Sequence, residues 1–312
     1  MHTVTVQIPC YNESETIPGV LRDIKSCYPS EINVVVIDDG STDNTAEIAV
    51  AAGADFVLKH SINKGLAEAF RTGIEHAYKT GADILINMDG DHQYPARYIP
   101  DLVKPILEGE ADIVIGNRQT STIEHFSPLK RLLQWVGTRS VSLLLGEPNI
   151  KDAVSGFRAY NRTAMREINV IGKFSYVLDT IIQAKVKGLR LASVDMTTNP
   201  PTRPSRLFRS SFHHIRKSAM DIIRVYAMYR GMRFFFWVGI VFLFLGSVPM
   251  VRFLLSYLAG RGDGMVQSLI FGAMFIIISA VMFALGIIAD LQSKNRNLIE
   301  RLLQKQKDSE VK

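Results

Sequence analysis

The stretch Ile84-Leu-Ile-Asn-Met-Asp-Gly-Asp91 decides the fold, because an apolar run ends abruptly in two acidic residues that flank one glycine. We interpret Ile84 to Met88 as a buried strand and Asp89-Gly90-Asp91 as the turn after its carboxyl end. Both carboxylates can reach one hard cation there, and Gly90 lets a phosphate approach closely. Such a motif is also common in ordinary surface turns, so its neighbours decide its meaning.

Short β-branched runs alternate with helical patterns over the first two hundred residues, which is typical of a parallel α/β sheet. The other expected strands are Val4 to Ile8, Val34 to Ile37, Phe56 to Leu58, Ile113 to Ile115 and Arg190 to Thr197, with a strand or bend at Ser155 to Tyr160. The expected helices are Ile17 to Ser26, one capped by Ser41 or Thr42, Lys64 to Lys79, Leu129 to Leu145 and Val177 to Lys187.

Polar residues follow two more strands of this sheet. Pro9-Cys-Tyr-Asn-Glu13 leaves the first strand, and Asp38-Asp-Gly-Ser41 closes the second. Open α/β sheets bind ligands in the crevice beyond the carboxyl ends of their strands, so we expect three strand ends to converge on one site. Acidic side chains there can accept hydrogen bonds from a base N–H or from ribose hydroxyls.

The charges divide the chain into two unlike parts. Residues 1–202 carry 20 Lys and Arg against 24 Asp and Glu, whereas residues 203–312 carry 16 against 6. A basic excess can bind nucleic acid or an anionic membrane surface, and here it flanks two long apolar runs. We therefore expect a membrane, and no nucleic acid, as a partner.

Both apolar runs are long enough to cross a bilayer. Phe234 to Leu258 contains one charge, Arg252, and Gly264 to Ala289 contains none. Each exceeds the ~20 residues that a spanning helix needs, which predicts transmembrane helices at about 233–258 and 266–289, within residues 233–290. The short segment between them predicts a hairpin.

Residues 205–232 precede the first span and place apolar residues at helical spacing among arginines. This pattern predicts an amphipathic basic helix at the membrane surface, the alternative being a helix packed on the soluble domain. Residues 203–233 hold eight Lys and Arg and one acid. The positive-inside rule then places the soluble domain (1–204), the basic tail (291–312) and both termini on the cytoplasmic side of the inner membrane.

Five motifs resemble those of the family 2 inverting glycosyltransferases, which have the GT-A fold with a Rossmann-like, mostly parallel sheet. The motifs are Ile8-Pro-Cys-Tyr-Asn-Glu13, Val36-Ile-Asp-Asp-Gly-Ser-Thr-Asp43, Asn63-Lys-Gly65, Met88-Asp-Gly-Asp-His-Gln93 and Ser155-Gly-Phe-Arg158. With two spans after them, the chain resembles the polyprenyl-phosphate glycosyltransferase branch, which includes dolichyl-phosphate mannose synthase and undecaprenyl-phosphate glucosyltransferases. The Gln-x-x-Arg-Trp motif of processive synthases is absent from the sequence.

The resemblance implies a role for individual residues. Tyr11, Glu13 and Asp39 contact the nucleoside of a UDP-sugar or, less favoured, a GDP-sugar. The rest of the implied donor site comprises Pro9, Asp38, Lys64, Asp89, Gly90, Arg203 and Arg206. The implied ligands of Mg²⁺ or Mn²⁺ are Asp89, Asp91 and Gln93. The implied acceptor-phosphate residues are Arg118, Arg131 and Arg139.

A polyprenyl phosphate acceptor fits this set, because its oxygen is already anionic near neutral pH and needs no strong general base. Arginines and a divalent metal would hold the two anions together for an in-line, inverting displacement, yielding a polyprenyl-phosphate-linked monosaccharide for cell-envelope glycan or glycoprotein synthesis. Asp91 or Asp179 could orient the acceptor, and we count both among the catalytic candidates with Arg118 and Arg131.

Two other functions stay open at this point. A glycolipid synthase with a lipid hydroxyl acceptor would need a real base, and a non-catalytic scaffold would bind the nucleotide sugar without transferring it. Membrane spans often pack with copies of themselves, so a homo-oligomer is open as well.

Overall fold

The computed structural model describes residues 2–27, 32–119, 150–170, 176–200, 211–260 and 266–310, together with residues 138, 139, 142 and 146. At residues 211–230, 297, 301, 307 and 310 it describes the backbone alone. The chain divides into two compact units, one of Met1–Ser210 with Leu303–Lys312 and one of Ser211–Leu302.

The first unit is built on a seven-stranded sheet with the order β3-β2-β1-β4-β6-β5-β7. Its strands are β1 (Val4–Cys10), β2 (Ile32–Asp38), β3 (Phe56–Lys59), β4 (Ile84–Asn87), β5 (Ile113–Asn117), β6 (Arg158–Asn161) and β7 (Leu191–Asp195). β6 runs antiparallel to β4 and β5, and the other pairings are parallel. The expected mostly parallel α/β sheet is confirmed.

Helices connect these strands and cover the sheet. They are α1 (Ile17–Cys27), α2 (Thr45–Ala51), α3 (Leu66–Lys79), α4 (Ile99–Leu107, after a 3₁₀ turn at Ala96–Tyr98), α5 (Arg162–Glu167) and α6 (Tyr176–Lys187). Helix α4 was not predicted, because its two prolines interrupt the helical pattern of the sequence. The short helix α5, which begins after the side-chain cap of Asn161, was not predicted either. Most of the helix expected at Leu129 to Leu145 lies outside the described residues.

Several predicted boundaries were wrong. The last strand, predicted at Arg190 to Thr197, spans Leu191–Asp195, and the helix predicted from Lys64 begins at Leu66. The fourth strand ends at Asn87 rather than Met88. Helix α2 begins at Thr45, with Asn44 at the capping position, rather than after a cap by Ser41 or Thr42. Those two residues are engaged elsewhere, because Asn12 N–H donates to Ser41 Oγ (2.9 Å) and Thr42 N–H donates to Asn12 Oδ1 (2.8 Å).

These hydrogen bonds fasten the loop after β1 to the loop after β2. The N–H of Glu13 adds a bond to Thr45 Oγ1 at 2.9 Å. Gly40 makes the turn possible, since its φ is +71° and a Cβ there would lie 2.4 Å from the carbonyl carbon of Ile62. Because β2, β1 and β4 are parallel neighbours, their carboxyl ends open on the same edge of the sheet.

The C-terminal residues of the first unit contact α3 and α5. Tyr78 donates its hydroxyl to Asp308 Oδ1 at 2.7 Å, and Arg166 Nη2 lies 3.0 Å from Asp308 Oδ2. Gln304 Nε2 donates to Glu167 Oε2 at 2.7 Å. The end of the tail is therefore part of the same compact unit as the sheet.

The second unit consists of long helices, α7 (Ser211–Leu258) and α8 (Val266–Glu310), the latter ending in the first unit. Gly231–Leu258 and Val266–Gln306 are long and apolar enough to cross a membrane, by length and composition. Only 11% and 17% of their most apolar windows are buried, which is unlike the core helix of a soluble protein. The helix predicted at 266–289 continues through most of the tail.

Small residues let these two helices pack closely as an antiparallel pair. A Cβ added at Gly231 would lie 2.5 Å from Ala289 Cβ, and one at Gly246 would lie 2.9 Å from the Gly272 carbonyl oxygen. Between them, Ser279 Oγ donates to the Gly239 carbonyl at 2.8 Å. Close approach of small residues with such a polar contact is a common way for membrane helices to associate.

This packing predicts that Gly246→Leu destabilises the hairpin by about 1–3 kcal/mol, because the new side chain meets backbone on the facing helix. Thermal unfolding of the full chain in detergent, followed by circular dichroism, measures the loss. Ala280→Leu is the matched control, since Ala280 is exposed on the other span. Equal melting temperatures for the two variants would contradict the packing.

Candidate active site

Asp89 and Asp91 leave β4 at the centre of the sheet edge. Asp89 is half-buried, and burial together with the nearby Asp91 carboxylate raises its pKa to about 7, although Arg118 and Arg158 oppose the rise. Asp91 Oδ1 accepts the Gln93 N–H at 3.1 Å, which fixes the turn. Two crowded carboxylates of this kind form an oxygen-rich site for which a divalent cation is the natural counter-charge.

Gly90, between the two carboxylates, is closely packed. A Cβ on Gly90 would lie 2.7 Å from Cys10 Sγ, and its carbonyl accepts the Thr16 hydroxyl at 2.7 Å. The glycine is therefore required by packing of the turn on β1 and on the residue just before α1. Its place in a donor-phosphate site stays a prediction.

A buried polar chain forms the floor below Asp89. Asn87 accepts Gln7 Nε2 at 2.8 Å and donates to the Gly156 carbonyl (2.8 Å) and the Tyr176 hydroxyl (2.7 Å). A Cβ on Gly156 would lie 2.9 Å from Asp89 Oδ2. The motif that contains Gly156 thus lets the backbone approach this carboxylate closely.

Arg118 forms a nearly buried ion pair beside this floor. Its Nε and Nη2 donate to Asp152 at 2.7 and 3.1 Å, with side chains that are 15% and 2% exposed. Burial alone would lower the pKa of Arg118, but Tyr94 and Asp152 raise it above its usual value. Three of its five N–H groups are not used by this pair and remain for an anion.

Arg158, the last residue of the Ser155-Gly-Phe-Arg158 motif, is bound by neighbouring protein groups. Its fully buried guanidinium donates to the carbonyls of Ser155 (2.8 Å), Val177 (2.7 Å) and Ala153 (3.0 Å), and to Thr180 Oγ1 (2.8 Å). Arg158 is thus a structural residue that fastens the 153–158 segment to the start of α6.

Asp38 and Asp39 occupy the end of β2. Asp38 is fully buried, with Oδ1 accepting the Ser41 N–H at 2.9 Å and Oδ2 3.8 Å from Lys59 Nζ. Asp39, 4% exposed, accepts the N–H groups of Lys64 (2.9 Å) and Gly65 (2.8 Å). The same carboxylate lies 2.6 Å from the ring of His60.

The remaining donor candidates lie around the exits of β1 and β3. Tyr11 is 41% exposed, whereas Pro9 is buried within β1. Glu13 accepts the Thr16 hydroxyl at 2.9 Å, and the Lys64 side chain is exposed. An exposed ring and carboxylates at the ends of two paired strands suit a nucleoside, and these roles stay predictions.

Asp179 and His92 each form a hydrogen bond with a neighbouring side chain. Asp179 is 2% exposed and accepts Gln183 Nε2 at 3.0 Å in the first turns of α6. His92 is engaged by α1, since its Nε2 lies 2.7 Å from Asp23 Oδ2. Asn199 donates to the His92 carbonyl at 3.0 Å and holds the same loop from the other side.

Besides Arg118, which is described above, three of the four arginines predicted to bind phosphate lie outside the described residues. Arg131, Arg203 and Arg206 lie outside the described residues, and Arg139 is helical with an exposed side chain. Among the described residues, no three His, Cys, Asp or Glu side chains converge as a metal cluster. A cation held by Asp89 and Asp91 would therefore take its other ligands from Gln93, diphosphate or water.

The sequence did not assign Asp152, Tyr176 or His60 to the site. His60 had a usable signal, because it directly follows β3, and a polar residue at the end of a neighbouring parallel strand belongs to the same edge. Asp152 and Tyr176 lie in loop and helix positions without a distinctive pattern. Their roles depend on contacts that are distant in sequence.

The arrangement is that of a GT-A glycosyltransferase. The fold is similar to that of glucosyl-3-phosphoglycerate synthase from Mycobacterium tuberculosis, solved with Mn²⁺, UDP and glucosyl-3-phosphoglycerate. The two share 22% identity with a TM-score of 0.56, over 72% of this chain and 79% of the other. Residues 5–168 match glycosyl transferase family 2, so the chain belongs to that family and is a glycosyltransferase.

Two curated relatives resemble the chain over about the same length. One is the UDP-N-acetylglucosamine–dolichyl-phosphate N-acetylglucosaminyltransferase of Methanococcus voltae, 28% identical over 211 residues, which are 61% of this chain and 83% of the relative. The other is the undecaprenyl-phosphate mannosyltransferase of Micrococcus luteus, 28% identical over 207 residues, or 63% and 83%.

The ion pair at Arg118 generates a prediction about stability. Asp152→Ala leaves a nearly buried guanidinium without its counter-charge and is expected to destabilise the first unit by about 3 kcal/mol. Thermal unfolding of the full chain in detergent measures the effect. The control is Lys151→Ala, which removes an exposed ion pair to Asp195 (3.3 Å) and is expected to change stability by less than about 1 kcal/mol. Comparable small losses in both variants would show that the buried pair is dispensable.

Proposed function

We propose that this protein transfers a sugar from a nucleotide-diphosphate sugar, UDP-linked in preference to GDP-linked, to a polyprenyl phosphate at the cytoplasmic membrane face. The observation that carries the acceptor assignment is the shared chemistry of the two relatives, whose names both specify a polyprenyl phosphate acceptor. Two helices that are long and apolar enough to cross a membrane are compatible with a lipid acceptor. The product is a polyprenyl-phosphate-linked monosaccharide for cell-envelope glycan or glycoprotein synthesis.

The acidic pair supports metal dependence. Asp89 and Asp91 offer hard oxygen ligands whose mutual repulsion a divalent cation would relieve. Mg²⁺ and Mn²⁺ accept ligands from carboxylates, diphosphate and water together, so the absence of a third acidic or imidazole ligand among the described residues does not disfavour them. When bound, the metal would neutralise the charge that develops on the departing diphosphate.

The protein's own residues supply positioning. Asp39, Tyr11 and Glu13 hold the nucleoside, and Arg118 uses its remaining N–H groups to bind the acceptor phosphate. The ion pair with Asp152 fixes the plane of the guanidinium, so less entropy is lost when the phosphate arrives. Arg131 and Arg139 join it on the acceptor phosphate, and Arg203 and Arg206 on the donor phosphates.

The displacement needs little proton chemistry. A phosphate oxygen of the acceptor attacks the anomeric carbon as the bond to the diphosphate breaks on the opposite side, which inverts the configuration. Because the nucleophile is already anionic, Asp91 and Asp179 orient the acceptor rather than remove a proton. The burial of Asp179 and its bond with Gln183 suit an indirect role.

The tail supports a cytoplasmic location for both termini. Asp308 contacts Tyr78 and Arg166, so the end of the chain shares an aqueous compartment with the sheet. Eight Lys and Arg against one acid at residues 203–233 favour the cytoplasmic side for that compartment. The two apolar helices then form a hairpin whose tip faces the other side. Self-association of the spans is compatible with this arrangement.

One assay tests the chemistry. Purified full-length protein is incubated with a short polyprenyl phosphate, Mg²⁺ or Mn²⁺, and a panel of UDP- and GDP-sugars, and lipid-linked product is quantified. We expect product with a UDP-sugar and none after chelation. Transfer to diacylglycerol but to no polyprenyl phosphate would establish the glycolipid synthase instead, and donor binding without any transfer would establish a scaffold.

Asp91→Asn is expected to lower kcat in this assay by ~10²–10³-fold, since the cation site loses a charge that acts on the transition state. Asp101→Asn is the matched control, because Asp101 is an exposed acid on α4. Undiminished turnover in Asp91→Asn would rule out the metal-site mechanism.

The topology gives a separate prediction. A reporter fused after residue 312 and one fused before residue 1 should both report the cytoplasm, whereas a reporter inserted between Gly260 and Val266 should report the opposite side. Alkaline phosphatase and green fluorescent protein fusions distinguish these outcomes. A periplasmic signal from the C-terminal fusion would contradict the hairpin.

A further inference from the structure

His60 and Asp39 form a buried hydrogen-bonded pair that neither the sequence motifs nor the proposed chemistry explains. His60 Nδ1 lies 2.6 Å from Asp39 Oδ1, and His60 Nε2 lies 2.9 Å from Thr72 Oγ1 on α3. The exposed fractions of His60 and Asp39 are 8% and 4%. A carboxylate only accepts, so His60 Nδ1 donates its N–H to Asp39, and the Thr72 hydroxyl holds the other ring nitrogen.

The acceptor positions of Asp39 can be counted. An ionised carboxylate offers about four lone-pair positions, two on each oxygen. On Oδ1, His60 Nδ1 and the Lys64 N–H (2.9 Å) use both positions. On Oδ2, the Gly65 N–H (2.8 Å) uses one. Among the described residues, Asp39 therefore keeps a single acceptor position on Oδ2.

The number of acceptor positions left on Asp39 limits which base the proposed nucleoside site can bind. The pairing edge of uracil presents one N–H, at N3, between two carbonyl groups. The corresponding edge of guanine presents an N–H and an amino group side by side, which a carboxylate would satisfy with both of its oxygens. If Oδ1 is already fully used, one guanine donor is left unpaired, and an unpaired buried donor weakens binding strongly.

We propose that His60 is a positioning residue for nucleoside recognition, which fixes the Asp39 carboxylate and occupies its Oδ1 so that the pocket favours uridine over guanosine. This inference rests on the proposed function, because it takes the Asp39 edge of the sheet as the nucleoside site. It goes further by assigning the base preference to the contacts of one histidine. The Thr72 hydroxyl supports His60 from α3 and fixes its ring.

Isothermal titration of the full chain in detergent with UDP and with GDP, in the presence of Mn²⁺ and without any acceptor lipid, tests this directly. The wild type is expected to bind UDP more tightly than GDP. His60→Leu should weaken UDP binding roughly tenfold, the effect of one lost hydrogen bond to a charged group, and should reduce the ratio of the two affinities by a similar factor. In turnover assays KM for the UDP-sugar should rise while kcat changes little.

His60→Asn is the rescuing variant, because its amide nitrogen can take the place of Nδ1 and donate to Asp39. It should retain most of the preference for UDP. His76→Leu is the matched control, since it makes the same substitution on α3 and leaves Asp39 untouched. If His60→Leu fails to fold, Thr72→Val removes the support of the ring more gently and should still reduce the affinity ratio.

Three results would overturn the proposal. They are a wild type that prefers GDP or binds neither nucleotide, a His60→Leu variant with an unchanged UDP to GDP ratio, and equal losses for both nucleotides that His60→Asn does not repair. A wild type that binds UDP selectively but transfers no sugar to polyprenyl phosphate would refute the acceptor assignment and leave the role of His60 intact.

Discussion

The candidate site depends on one buried guanidinium. Arg158 opens β6, opposite Asn87 in the antiparallel pairing with β4, and donates four hydrogen bonds to neighbouring segments. Those bonds fix the backbone from Ala153 to Ser155 and the start of α6. Asp152, Gly156 and Tyr176 are therefore presented to Arg118, Asp89 and Asn87 in fixed positions. A guanidinium suits this task because its five donors lie in one rigid plane.

Charge in the site is balanced across short distances. Arg118 and Arg158 both lower the pKa of Asp89, yet burial and Asp91 outweigh them. The acidic pair thus retains an affinity for positive charge, while Arg118, already paired with Asp152, retains donors for negative charge. Transfer between two anionic phosphates needs both properties, because each phosphate must be held near the other despite their repulsion. The pair and the arginine lie close enough to influence each other electrostatically.

The sequence was informative where chemistry follows local pattern. Alternating elements predicted the sheet, and polar residues after β1, β2 and β4 predicted the edge where they meet, because parallel neighbours expose their carboxyl ends together. It was uninformative where partners are chosen in three dimensions. Asp152 lies six residues from Arg158 but pairs with Arg118, and Ser41, a good cap by type, is used to fasten Asn12. Pairing of this kind depends on antiparallel β6, which the alternation of strands and helices does not encode.

The close packing of the two apolar helices was also not predicted from the sequence. Neither span contains a Gly-x-x-x-Gly motif, yet Gly231, Gly239 and Gly246 lie eight and seven residues apart on α7. Residues at that spacing return to the same helix face, since two turns take about seven residues. The residues that face them on α8 run in the opposite direction, from Ala289 opposite Gly231 to Gly272 opposite Gly246. Close packing therefore extends along the hairpin, and a stripe of this length favours two rigidly paired spans over two independent anchors.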